Sequence, residues 1–144
     1  MTSELHLTDG LDMPTEELRQ SPMMNHILDA LDRGQDIGHY GRLVFVMVGR
    51  YFMSEEELVE QLTKDPDCDK HKALGLIKQV EAHGYNPPKR ERVLEWMSQQ
   101  EFPICQSPDD QASCNVYKNL DFPPEVYEKI ASFYEQQPEL TAHR

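Results

Sequence analysis

Apolar residues recur along the chain at helical spacing in several separate stretches. Met23, Met24, Ile27, Leu28 and Leu31 share one stripe. Ser21-Pro22 precedes it, a capping hydroxyl with proline at the first helical position, and Gly34 follows as a stop. Residues 37–52, IGHYGRLVFVMVGRYF, are the most apolar in the chain. Their LVFVMV run fits a buried strand or a buried helix, and periodicity alone does not separate the two. Arg42, Gly49 and Arg50 within the longer pattern favour a central helix. Ser54 and Glu57 form a capping box ahead of Leu58, Val59 and Leu62. Asp69 closes a DPDCD turn and can cap a helix carrying Ala73, Leu74, Ile77 and Val80, which ends near Gly84.

Tyr85-Asn86-Pro87-Pro88 is predicted to be extended, because residues before proline avoid the helical region. A further helix runs from about Lys89 to Gln100 and buries Val93, Leu94 and Trp96 or Met97. Residues 101–121 are irregular, and a loop this long in a compact domain is functional or held by something. Pro123-Pro124 opens a last helix with Val126, Tyr127, Ile130 and Tyr134 on one face. The pattern predicts an all-α fold, a compact helical domain of about five to six helices with a long irregular loop before the last one. Residues 1–20 read as an acidic stretch, a loose tail or a marginal first turn, and residues 21–144 as a single domain.

Composition changes this picture little. Hydrophobic residues make up 38% and charged residues 28% of the 144, which suits a folded chain long enough to bury a core. No apolar run is long enough to span a bilayer, and the acidic start has no secretory pattern. Three cysteines, an odd and low number, argue for a reducing compartment, so a cytoplasmic location is expected.

Charge changes it more. The net charge of −12 speaks against a polyanionic partner, but the distribution is uneven. Residues 70–92 hold Lys70, Lys72, Lys78, Lys89, Arg90 and Arg92 against Glu81 and Glu91. Residues 33–50 hold Arg33, Arg42 and Arg50 against Asp36. Acidic ends therefore enclose a basic middle. Lys89, Arg90 and Arg92 stand at a predicted helix start, where cations oppose the helix dipole and do not serve helix stability.

His39 and Arg42, three apart, fall on one helix face, where an imidazole and a guanidinium can grip a phosphate together. The alternative is an arginine paired with a carboxylate such as Asp36 or one of Glu55 to Glu57. Cys105 and Cys114 share the irregular loop, and Cys68 with His71 lies upstream. They are either partly buried thiols that pack as small apolar groups, or partial metal ligands. No nucleophile–base pair, phosphate-cradling glycine loop or paired metal-binding histidines occur, so no catalytic role is expected.

The order of these features resembles the C-terminal iron–sulfur domain of the large subunit of archaeal and eukaryotic DNA primases. The resemblance is carried by Ser21-Pro22-Met23-Met24, Ile37-Gly38-His39-Tyr40-Gly41-Arg42, Ser54-Glu55-Glu56-Glu57, Asp65-Pro66-Asp67-Cys68-Asp69, Tyr85-Asn86-Pro87-Pro88, and then Cys105 and Cys114. In that family four cysteines hold a [4Fe–4S] cluster. The first falls here at Met23 or Met24 and the second at Lys89 or Arg90, so the resemblance implies a degenerate, stand-alone relative without the cluster.

The family's domain binds template and the 5′-triphosphate end of the primer, partly through the residues matched by His39 and Arg42. A further family arginine falls at Gly38. The resemblance thus implies a non-catalytic accessory domain for DNA replication or repair that binds single-stranded or primer–template nucleic acid beside a primase- or polymerase-type protein. Its candidate phosphate contacts are His39, Arg42, Arg50, Lys78, Lys89, Arg90 and Arg92. Two other expectations stand beside it. One is a helical protein-interaction module that has lost both cluster and nucleic-acid binding. The other is an iron–sulfur or zinc protein using Cys68, Cys105 and Cys114.

Overall fold

A computed structural model describes residues 15–136, with side chains through residue 130. Its helices are α1 (Pro22–Asp32), α2 (Gly38–Gly49), α3 (Glu55–Leu62), α4 (Lys70–His83), α5 (Arg90–Met97), α6 (Val116–Asn119) and α7 (Pro124–Gln136). The described residues contain no strand, and the fold is all-α. None of these helices is long and apolar enough to cross a membrane.

Local chemistry places most of the helix ends. Ser21 caps α1 through its hydroxyl, which accepts the Met24 N–H, with Pro22 at the first position. Both halves of the α3 capping box form: Glu57 N–H donates to Ser54 Oγ at 3.2 Å, and Ser54 N–H to Glu57 Oε1 at 2.8 Å. Asp69 accepts the Lys72 N–H at 2.8 Å and starts α4. Gly84, at φ +61°, ends α4 in the left-handed region that glycine enters without steric cost.

The ambiguous LVFVMV run is helical and forms the centre of the molecule. Val44, Phe45, Val46 and Val48 have no exposed surface, because α1, α3, α4 and α5 all pack on α2. A helix covered on every side has no polar stripe, which is why its periodicity gave no signal.

Just ahead of α1, the described residues take the first-turn alternative. Residues 15–18 form a helical turn, and Leu18 is fully buried. Arg19 donates to Asn25 Oδ1 and Asp29 Oδ1 at 2.8 Å and to Asp32 Oδ2 at 3.1 Å, tying this turn to α1. Residues 1–14, and the side chain of Tyr134 on the last apolar face, lie outside what is described.

The irregular stretch before the last helices is held by packing and by a covalent bridge. Phe102, Ile104, Val116, Leu120 and Phe122 enter the core. His26 of α1 stacks on Phe102, ring centroids 5.0 Å apart, and its Nε2–H donates to Pro103 O at 2.8 Å. Cys105 and Cys114 are joined in a disulfide, their Cα atoms 5.7 Å apart.

Candidate nucleic-acid interface

The proposed His39–Arg42 phosphate grip does not form. Arg42 is 4% exposed, and its guanidinium is taken by carboxylates. Nη1 donates to Asp65 Oδ2 at 2.8 Å and to Asp36 Oδ1 at 3.3 Å, and Nη2 lies 3.5 Å from Asp67 Oδ2. Asp65 has no exposed side-chain surface and also accepts the N–H groups of Ile37 and Asp67. A buried charge is stable only when paired and hydrogen-bonded, and this knot satisfies both partners. Arg42 therefore fastens the start of α2 to the turn before α4 and has no donor facing solvent for a phosphate.

His39 stays exposed beside this knot, its ring edge-on to Tyr40. Desolvation, then the charges of Arg42 and Lys72, hold its pKa below the ordinary 6.5. Its charged form is thereby disfavoured, so it adds little positive charge near pH 7. Gly38, where the family has an arginine, takes φ +77°, and a Cβ would sit 2.5 Å from the Gln100 carboxamide. That carboxamide bridges Ile37 O and Tyr40 N–H, so a side chain at this position would displace the bridge and strain a left-handed backbone.

Arg50 is also absorbed by the fold. Its Nη2 donates to Tyr51 Oη at 2.8 Å and Tyr85 O at 3.1 Å, with the guanidinium 4.6 Å from the Tyr51 ring centroid. Lys78 lies on the exposed face of α4, and no described contact joins it to the other candidates.

Lys89, Arg90 and Arg92 do come together, at the start of α5, as a ridge between two hollows. The larger, about 820 Å³, is lined by Leu43, Met47, Tyr85, Asn86, Arg92 and Trp96 among others. The smaller, about 470 Å³, is lined by Arg90, Asn115, Tyr117, Lys118, Tyr127 and Ile130. Lys89 and Glu91 border both. Arg92 lies 5.8 Å from the Trp96 ring centroid and forms a loose exposed pair with Glu95 at 3.6 Å. Arg90 Nη2 donates to Pro108 O at 2.5 Å, which braces the ridge against the disulfide loop. Tyr117 donates its hydroxyl to Pro87 O at 2.5 Å, and burial first, then the neighbouring Tyr51 and Tyr127, raises its pKa far above the usual value.

The cysteines correct two expectations. Cys105 and Cys114 are neither free thiols nor metal ligands but partners of one bond, so an odd cysteine count concealed a bridge. Cys68 is buried beside Arg42 and Asp65, with desolvation raising its pKa. The three cysteines therefore form no common ligand set. The [4Fe–4S] cluster held by that family does not fit these residues. It requires four thiolates, whereas Met24 is a fully buried core residue, Arg90 is hydrogen-bonded to Pro108 O, and the two matching cysteines are bonded to each other.

Sequence reasoning did not single out Lys118, Tyr117, Tyr127 or Asn86 as lining residues. Lys118 lies outside both basic stretches, and only tertiary packing brings α6 to the ridge. Comparison with known proteins finds no matching family profile, no matching curated protein and no matching solved structure.

Proposed function

We propose that this chain is a non-catalytic nucleic-acid-binding domain that assists a replication or repair enzyme by holding phosphates along the Lys89–Arg92 ridge. One observation carries the reading. In a chain of net charge −12, Lys89, Arg90, Arg92 and Lys118 gather around two adjoining hollows that also present Trp96, Tyr117 and Tyr127. Cations interleaved with aromatic side chains suit a flexible polyanion with stackable bases. The ridge cations oppose the α5 dipole, and Lys89 makes no side-chain cap there, so helix stability does not account for them.

A second juxtaposition supports the primase-like ancestry. The loop that bears Cys105 and Cys114 touches Arg90, which with Lys89 is one of the two positions at which the resemblance sets the family's second cysteine. The scaffold reads as one that keeps the corner of the cluster with a disulfide and packed side chains in place of iron.

Trp96 is the sole tryptophan, so its emission reports on the larger hollow. Titration with a single-stranded oligonucleotide at low salt should change that emission and saturate. With about three phosphates neutralised, a fourfold rise in salt should weaken binding roughly ten- to thirtyfold. The double variant Arg90→Glu/Arg92→Glu should abolish it. No binding at low salt, or affinity indifferent to salt, overturns the proposal.

A further inference from the structure

Phosphate contacts leave the Tyr85-Asn86-Pro87-Pro88 connection without a role, yet three of its residues wall the larger hollow. The hollow's floor is apolar: Leu43 and Met47 reach it from α2, and Pro88 is buried beside them. Trp96 is held in place by Tyr40, whose ring stacks on it at 5.6 Å with an interplanar angle of 15° and whose hydroxyl donates to Gln99 Oε1. Lys89 and Arg92 stand at the same hollow. Asn86 Oδ1 is withdrawn from solvent and has no hydrogen-bond partner among the described residues, while Gln79 and Glu91 add further acceptors.

We infer that this hollow seats one unpaired base of a single strand, with an adjoining phosphate at Lys89 and Arg92. The inference rests on the ridge reading above and names the class of strand. Its volume of about 820 Å³ accommodates a nucleotide-sized group. The chemistry of its wall selects the occupant. A buried acceptor without a partner calls for an N–H donor, after a small turn of the Asn86 carboxamide. A base edge carries such donors once it is unpaired. A duplex presents its base edges already paired and stacked, so it reaches the ridge but not the hollow. An acidic amphipathic helix also complements Lys89 and Arg92, but its backbone N–H groups are used internally and its acidic side chains only accept. Asn86 would stay unpartnered beneath it.

The test uses the whole chain and three probes of equal length: a mixed-sequence single strand, an abasic sugar-phosphate strand, and a duplex. The abasic strand and the duplex should bind about tenfold more weakly than the single strand, a difference in the range of one stacked base. Neither should shift Trp96 emission, and the salt slopes of the two single strands should match. Asn86→Ala should bring the normal strand towards the abasic one, with helix content by circular dichroism unchanged. Equal affinity and equal Trp96 response for normal and abasic strands overturns the base assignment and leaves the ridge intact. Failure of every probe at low salt removes both. An acidic amphipathic peptide that shifts Trp96 emission at lower concentration than the oligonucleotide overturns the inference in favour of a protein partner.

Discussion

The turn around Arg42 and the ridge around Arg90 use the same residue type in opposite ways. Arg42 is sealed at the start of α2 among Asp65, Asp36 and Asp67, and its charge is cancelled within the fold. Arg90 and Arg92 stand at the start of α5, where one guanidinium meets a backbone carbonyl and the other a loosely placed carboxylate. A carbonyl satisfies a donor without neutralising it, so Arg90 keeps its field. The two regions teach that a cation's partner matters more than its place in the sequence. The arginine in the more suggestive motif became a fastener, and those in the plainer run kept their charge for a partner.

The sharpest way to break this contrast is to remove Arg42. In Arg42→Met, Asp65 remains buried without its counter-charge, which costs about 3–5 kcal/mol. Chemical denaturation should show that loss, and hydrogen exchange at the Ile37 N–H, which donates to Asp65 at 3.0 Å, should accelerate. Arg92→Met, on the ridge, should shift stability by less than about 0.5 kcal/mol. If Arg42→Met is equally mild and instead weakens oligonucleotide binding, the roles assigned to the two regions are reversed.

The same contrast marks what the sequence discloses. Helix ends depend on neighbours in the chain, so Ser21-Pro22, the Ser54–Glu57 box, Asp69 and Gly84 were legible and hold in the fold. Asp36, close to Arg42 in sequence, was foreseeable as its partner. Asp65, with the shorter bond, was not, because it comes from beyond the next helix. The bridge between Cys105 and Cys114 was hidden by similar logic. The long loop signalled that something must hold it, but not whether packing, metal or a bond did so. Of the candidate phosphate contacts, only the consecutive cluster at Lys89, Arg90 and Arg92 could be located as a group, since one helix start presents all three.

A second test separates the brace behind the ridge from the knot. Reduction of the disulfide frees a loop whose ends lie 9 positions apart. The chain-entropy relation gives a loss of about 2.5 kcal/mol for such a loop. Melting followed by circular dichroism should therefore fall by roughly 5–10 °C under a phosphine reductant. Cys105→Ala/Cys114→Ala should be destabilised similarly and gain nothing further from the reductant. Exchange at Ile37 N–H should accelerate far less than in Arg42→Met, because its acceptor Asp65 keeps its bond to Arg42 when the disulfide is reduced. Unchanged melting would mean that core packing by Phe102, Ile104 and Val116 holds the loop without the bond.

The smallest expected effects concern the histidines, and they sort His39 between the two regions. Both His26 and His39 have pKa values lowered below 6.5, in each case first by desolvation. The unfolded chain therefore binds protons at a higher pH than the folded one. Their contribution to stability is complete above about pH 6.5 and declines as the pH falls towards the folded values. Melting temperature should accordingly drop on acidification below that point. His26→Gln should reduce the drop, because a carboxamide can donate to Pro103 O and does not titrate. His39→Ala should reduce it less, since its ring is exposed. At pH 7.5 His39 is neutral, so the same variant should alter oligonucleotide affinity by less than about twofold, well below the effect of one lost phosphate contact. A larger loss at that pH would return His39 to the phosphate-binding surface and extend the ridge towards α2, against the division drawn from Arg42.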